Sequence, residues 1–150
     1  MLLIKQSKNS SLSIMPVTLS TSKSIDTEAW IALMASVGFG RASDYTAEKV
    51  LRSINAYPFI AHAYTEKGQL VGYISAFSDH AFSTFVGELV VQPLFQGRGI
   101  GKQLLAAVET YAAGVPIYVN PLKNSEQFFL RQGFRLSDGN TPTLFKVTGK

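Results

Sequence analysis

The sequence predicts an α/β domain of alternating strands and helices, and three observations carry that prediction. Short runs rich in Val, Ile, Phe and Tyr, at residues 59–64 and 70–77, read as strands. Residues 25–37 and 100–112 instead carry apolar side chains at helical spacing. Between these two patterns, the apolar run Leu89-Val90-Val91 passes through Pro93 into the loop Gln96-Gly97-Arg98-Gly99-Ile100-Gly101, and a helical pattern starts at once.

The elements follow in chain order. Residues 12–19 alternate weakly and suggest a first strand after a loose segment over 1–11. Ser24 and Asp26 are candidate caps for a helix with Ile25, Ala29, Leu33 and Val37 spaced by four, ending at Gly38. A second helix over 46–56 presents Val50, Leu51 and Ile54 and stops at Tyr57-Pro58. The strands at 59–64 and 70–77 are joined by Glu66-Lys67-Gly68-Gln69, a hairpin signal. Asp79-His80 turns the chain into a long strand over 82–92. In the helix after the loop, Ile100, Leu104, Leu105, Val108, Tyr111 and Ala112 share one face. Gly114 caps it. A strand over 116–120, a short helix over 125–132 and closing strands at 134–136 and 144–147 complete the order.

The loop is the chemical centre of the sequence. Glycines 97, 99 and 101 permit positive φ and a close approach of backbone to ligand. The backbone N–H groups at the helix start can face an anion, with Arg98 and Lys102 adding charge. It is a phosphate cradle of neither common type. A Walker loop requires G-x-x-x-x-G-K-[ST], whereas Gln96 stands at the first Gly and Gln103 follows Gly101-Lys102. A dinucleotide loop requires G-x-G-x-x-G with an acid about 20 residues on, where Tyr118, Val119 and Asn120 lie.

What the stretch resembles, over residues 25–134, is the GCN5-related N-acetyltransferase (GNAT) superfamily, through Q-x-x-G-x-G after an apolar strand ending in V-x-P. The resemblance implies a mixed, strongly twisted sheet of six to seven strands flanked by about four helices. It implies acetyl-CoA as cofactor, with the pyrophosphate held by Gln96, Gly97, Arg98, Gly99, Ile100, Gly101 and Lys102. A backbone N–H of Leu89, Val90 or Val91 would polarise the thioester where this strand splays from its neighbour at 116–120.

An amine must lose a proton before attack, and Glu88, an acid in an apolar strand beside that position, is the leading base. By strand parity Glu88 shares a face with Val86 and Val90 and is partly buried. His80 is the alternative base. The family's F-Y-x-x-x-G-F, whose Tyr acts as general acid, reads here Phe128-Phe129-Leu130-Arg131-Gln132-Gly133-Phe134, so Phe129 has no proton to give. Tyr118 or Ser125 are stand-in acids, and Asn120 and Asn124 stand in for a family Asn that falls on Leu122. Phe128 and Phe129 would flank the cofactor. Trp30, Phe39, Tyr73, Phe77, Phe82 and Phe85 are candidates for an aromatic acceptor wall.

Composition sets the outer limits. At 150 residues one domain over 12–150 is expected, with 46% hydrophobic and 16% charged residues. The net charge of +4 is scattered, which argues against nucleic acid, and no apolar run reaches membrane length. There is no cysteine, hence no thiolate metal site, and His62 and His80 have no zinc spacing, so no metal is expected. Residues 1–24 hold seven serines and three lysines and no acid, loosely like an organelle transit peptide, but the absence of arginine favours a loose N-terminus of a cytoplasmic protein. The expected activity is acetyl transfer to a small primary amine in a ternary complex, with a homodimer suggested by the resemblance. The alternatives are a non-catalytic acyl-CoA-binding domain and a peptide acetyltransferase.

Overall fold

A computed structural model describes residues 2–3, 13–137, 144, 146 and 148. Among the described residues the strands are β1 (Leu2–Leu3), β2 (Thr18–Ser20), β3 (Phe59–Tyr64), β4 (Leu70–Ser78), β5 (Thr84–Val91) and β6 (Ile117–Tyr118). They form one mixed sheet in the order β1-β5-β4-β3-β2, with β6 also on β5. The pairs β2–β3, β3–β4 and β4–β5 are antiparallel, whereas β1 and β6 run parallel to β5. The α/β class agrees with the sequence expectation, whereas the set of strands differs slightly, since β1 is not among those expected.

Four α-helices among the described residues cover the sheet: α1 (Thr27–Ser36), α2 (Ala47–Ala56), α3 (Ile100–Ala112) and α4 (Glu126–Arg131). Asp26 caps α1 by accepting from the backbone of Glu28 and Ala29, and Thr46 caps α2 by accepting from Lys49. The helix α3 ends at Ala113 and Gly114, both at positive φ.

The core divides about the sheet. Ala61, Ile74, Val86, Leu89 and Val91 pack with Leu104, Leu105 and Val108 of α3 and with Phe129 of α4. On the other face Ile60, Tyr73 and Val90 pack with Trp30, Leu33 and Met34 of α1 and Val50 and Ile54 of α2. α3 buries the stripe its spacing prescribes, whereas in α2 only Val50 and Ile54 are buried and Leu51, expected beside them, is exposed.

Several expectations change at the element ends. The first main strand is confined to Thr18–Ser20, because only Thr18, Leu19 and Ser20 find partners, on Tyr64, Ala63 and His62. The strand expected at 116–120 is only Ile117–Tyr118, paired with Thr84 and Phe85. Residues 134–136 join no ladder among the described residues. The strand expected at 144–147 lies mostly outside them. The apolar opening of the segment read as loose finds a place: Leu2 and Leu3 stand opposite Leu89 and Val90.

Candidate functional site

The site grows from a register fault in the central hairpin. Ile74 pairs with Leu89 and Ala76 with Val86, so Ser75 alone faces both Gly87 and Glu88. This is a β-bulge, and it re-aims the side chains around it. Val86 turns toward α3 while Val90 faces α1 and α2. Parity therefore fails between them, and the expected common face of Val86 with Glu88 and Val90 is corrected by the extra residue.

The bulge is closed by Ser75. Its hydroxyl accepts the Glu88 backbone N–H at 3.0 Å and donates to the Glu88 carboxylate. Gly87 is required beside it, because a Cβ there would overlap the Tyr57 hydroxyl and lie 2.7 Å from Ser75 Oγ. Tyr57 itself is anchored by Lys23, whose ammonium donates to the carbonyls of Ile54, at 2.8 Å, and Tyr57 at the end of α2.

Three tyrosines feel the Glu88 charge. Burial raises Tyr57, and Glu88 raises it further, opposed by a hydrogen bond with Ser75. Tyr73 is raised by burial first and then by Glu88 and Tyr57. Tyr45 is raised by burial, Asp44 and Glu88, and its hydroxyl donates to the Phe39 carbonyl. All three remain protonated at neutral pH. Trp30 joins them edge-on, with ring centroids 5.6 Å from Tyr45 and 5.8 Å from Tyr73. The Trp30 indole N–H lies near enough to the Tyr73 hydroxyl to oppose its upward shift, yet both groups are buried without a well-formed hydrogen bond.

From Glu88 the strand leads through Leu89, Val90 and Val91 into the loop. A 3-10 turn at Pro93–Phe95 precedes it, and Gly97 and Gly99 take φ of 77° and 81°. Gly99 is the N-cap of α3 and no side chain caps the helix, which leaves its first N–H groups pointing out of the helix start. Gln96 is buried and its carboxamide donates to the Val91 carbonyl at 2.9 Å. Arg98 lies over the Phe95 ring at 5.9 Å, its Nε buried without a partner, and one terminal nitrogen is 3.8 Å from Met15 Sδ. Lys102 is exposed, while Ile100 and Gly101 pack into the fold.

β5 has one edge on β4, so β6 and β1 share the other. β6 reaches only Phe85, and Leu2–Leu3 takes up Leu89–Val90. Pairing of β5 with β6 thus stops at Phe85, short of the stretch expected to diverge, and backbone of β1 lies beside Leu89 and Val90.

The remaining sequence candidates fall into separate places. Tyr73 is fully buried beneath Trp30, and Phe39 is half-buried after α1. Phe77, 47% exposed, and Phe85 are cross-strand partners, and Phe85 stacks on Tyr118 at 5.4 Å. His80 sits in the turn before β5 with φ of 55°, its ring 4.8 Å from Tyr111. It is not brought to Glu88, since the strand from Thr84 to Glu88 alone spans about 13 Å. Phe129 is 2% exposed and packs edge-on against Phe128 and Phe134. Asn120 and Asn124 are exposed in the connection to α4.

A groove of about 840 Å³ runs between β6, the end of α3 and α4, lined in part by Tyr118, Asn120 and Phe129. Neither Glu88 nor the glycine loop borders it. Ser75 and Tyr57 are the residues that sequence reasoning missed. Ser75 is the one hydroxylic residue inside the apolar run 70–77 apart from Tyr73, and that was its signal; Tyr57 read only as a helix stop.

The model of the acetyltransferase (GNAT) domain matches residues 35–143, which takes in the bulge, the glycine loop and α4. The chain belongs to the GNAT acetyltransferase family. This acetyltransferase domain is 42% identical over 40 residues to a histone acetyltransferase of Glycine max, a stretch covering 27% of this chain and 17% of that protein. Among solved structures, a GNAT-family acetyltransferase from Streptococcus pneumoniae superposes with a TM-score of 0.72 at 20% identity, over 90% of this chain and all of that one. The structure of AAC(6')-Iy, in complex with the bisubstrate analogue CoA-S-monomethyl-acetylneamine, gives 0.66 at 16% identity over 89% and 99% of the two chains. These likenesses establish the GNAT fold. No helix among the described residues is long and apolar enough to cross a membrane.

Proposed function

We propose that this GNAT domain transfers an acetyl group from acetyl-CoA to a small primary amine by direct attack in a ternary complex. The observation that carries the reading is the continuity of Glu88, the Leu89–Val91 backbone and the glycine loop along one strand and its exit. A general base, a row of backbone donors and an anion cradle follow one another in that order.

The residues present suit coenzyme A. The uncapped start of α3, the positive φ of Gly97 and Gly99, and the unpartnered buried Nε of Arg98 together call for an anion. Gly97, Arg98, Gly99, Ile100, Gly101 and Lys102 would hold the pyrophosphate, each backbone N–H to a charged oxygen contributing about 1.5–3 kcal/mol. Gln96 acts from behind, by fixing the loop to Val91. When bound, acetyl-CoA supplies a thioester whose carbonyl carbon accepts the amine nitrogen, the C–N bond forming as C–S breaks and CoA leaves as thiolate.

Glu88 removes the proton from the incoming ammonium, directly or through one water. The neutral hydroxyl of Tyr57 and the carboxylate of Glu88 offer a cationic amine a polar, electronegative seat, with aromatic rings of Trp30 and Tyr45 behind. A backbone N–H of Leu89, Val90 or Val91, on the edge of β5 turned away from β4, provides oxyanion stabilisation. A thiolate of ordinary pKa near 8.5 leaves without an acid.

One observation favours a second reading. Phe129 replaces the hydroxyl that relatives use and is sealed in the core, as a CoA-binding domain without turnover would tolerate. A single experiment separates the two: release of CoA thiol from acetyl-CoA with panels of arylalkylamines, polyamines, aminoglycosides, amino acids and short peptides. The chain has no cysteine, so all thiol comes from CoA. Turnover with small amines, lost by about 10²- to 10⁴-fold in Glu88→Gln with acetyl-CoA affinity retained, is expected. Binding without turnover on every acceptor would favour the second reading, and turnover on peptides alone would move the acceptor to proteins.

A further inference from the structure

We infer that Ser75 is a positioning residue for catalysis: it locks the Glu88 carboxylate through the bulge, and removing its hydroxyl disables the base without removing it. The inference rests on the reading of Glu88 as base and adds a residue outside the family's sequence signature.

The geometry singles out one hydroxyl. Ser75 Oγ contacts Glu88 at both ends, accepting from its backbone N–H at 3.0 Å and donating to its carboxylate. A serine has one proton to donate and lone pairs to accept with, so this pair of bonds uses the hydroxyl in a single sense. The Glu88 side chain is thereby tied back to its own main chain through one buried atom. A bulge residue otherwise has an unpaired backbone group and rotational freedom, because the ladder is interrupted there. Here the orphan N–H is the one that Ser75 takes.

The one competing partner is the Tyr57 hydroxyl, whose own proton fills the second lone pair of Ser75 Oγ and leaves the serine proton to the Glu88 carboxylate. Ser75 is fully buried, Gly87 presents no side chain, and the Tyr57 hydroxyl closes the space above them. A base fixed in this way meets the acceptor without first losing rotamer freedom, and misplacement by about 1 Å can cost 10²-fold in rate.

The tests are Ser75→Ala, Glu88→Gln and the double variant, assayed with acetyl-CoA and the most active amine of the panel, alongside amide hydrogen exchange of the unliganded protein by NMR. Ser75→Ala is expected to lower kcat by about tenfold with the KM for acetyl-CoA within about twofold, a loss confined to the chemical step. In the Glu88→Gln background the same change should cost less than about twofold, since a residue acting through Glu88 has nothing left to position. The Glu88 amide should exchange at least about tenfold faster in Ser75→Ala, with the Val90 amide unchanged.

An unchanged kcat in Ser75→Ala, with Glu88→Gln inactive, overturns the role of Ser75 alone. A loss that multiplies undiminished onto Glu88→Gln assigns Ser75 to the fold and overturns it too. Full turnover in Glu88→Gln instead removes the base itself, and the reading of the site falls with it. The exchange measurement needs no acceptor; an unaltered Glu88 rate shows that the bond does not hold the bulge.

Discussion

The Gln96 carboxamide donates to the Val91 carbonyl at 2.9 Å, so the first residue of the glycine loop grips the last residue of β5. Gln96 is 3% exposed, and its side chain is therefore a brace between strand and loop. Gln96→Ala leaves the Val91 carbonyl unpaired in the interior, at a cost of about 1–3 kcal/mol. For a chain of this size each kcal/mol lowers Tm by about 2–4 °C. Thermal unfolding should show that loss, and calorimetric titration should show weaker acetyl-CoA binding with kcat little changed. A variant with native Tm and native affinity would remove the brace from the account.

Gly99 holds φ of 81° at the start of α3, and its nearest neighbour to a new Cβ is Ile14 at 3.7 Å. Space is available there and conformation is not. Gly99→Ala is expected to be destabilised by about 1–2 kcal/mol from left-handed strain. The uncapped N–H groups shift with it, so acetyl-CoA affinity should fall by more than the stability change alone explains. Equilibrium urea unfolding and calorimetric titration on the same preparation separate the two effects.

His62 gives the fold a pH dependence. It is 1% exposed; Nε2 lies 2.9 Å from the Ser22 carbonyl and Nδ1 2.8 Å from the Tyr64 hydroxyl. A carbonyl only accepts, so Nε2 carries the proton and Nδ1 receives the Tyr64 hydrogen. Burial lowers the imidazole below its ordinary 6.5, opposed by the bond to Ser22. The unfolded chain thus takes up a proton at a pH where the native state refuses it. Stability is full above about pH 6.5 and declines as pH falls below it. Urea unfolding between pH 7.5 and 5 should follow this sign, and His62→Gln should flatten the slope while lowering stability throughout.

The helices were the most legible part of the sequence. Asp26, Thr46 and Gly114 mark ends that caps enforce locally, and the stripe from Ile100 to Ala112 is the stripe that packs. The strand ends were less legible because pairing partners decide them: nothing within 116–120 says that contact with β5 ends at Tyr118. At the site, the loop and Glu88 stood out because glycine spacing and a lone acid in an apolar strand are local signals. The bulge was not a local signal. It exists through Ser75 and Tyr57, 13 and 31 positions away from Glu88, so period-2 parity carried Val86 to the wrong face. His80 and Tyr118 carry suitable chemistry near the strand in sequence, but the hairpin length puts both at its other end.

Leu2 and Leu3 lie parallel to Leu89 and Val90 on the edge of β5 that β6 has left. A pantetheine arm laid beside the same backbone would need the same N–H and C=O groups, so the two compete if acetyl-CoA binds as proposed. The Met15 N–H also donates to the Arg98 carbonyl at 3.0 Å, a second attachment of the early chain to the glycine loop. Replacing both Leu2 and Leu3 by Pro removes two backbone donors and weakens the ladder. An apparent Kd equals the intrinsic one divided by the fraction of molecules competent to bind, so freeing the edge should tighten acetyl-CoA by about threefold or more. Calorimetric titration of the double variant against the unaltered chain reads this directly. An unchanged Kd means that the arm and β1 do not share the edge, and a weaker one means that Leu2–Leu3 forms part of the site.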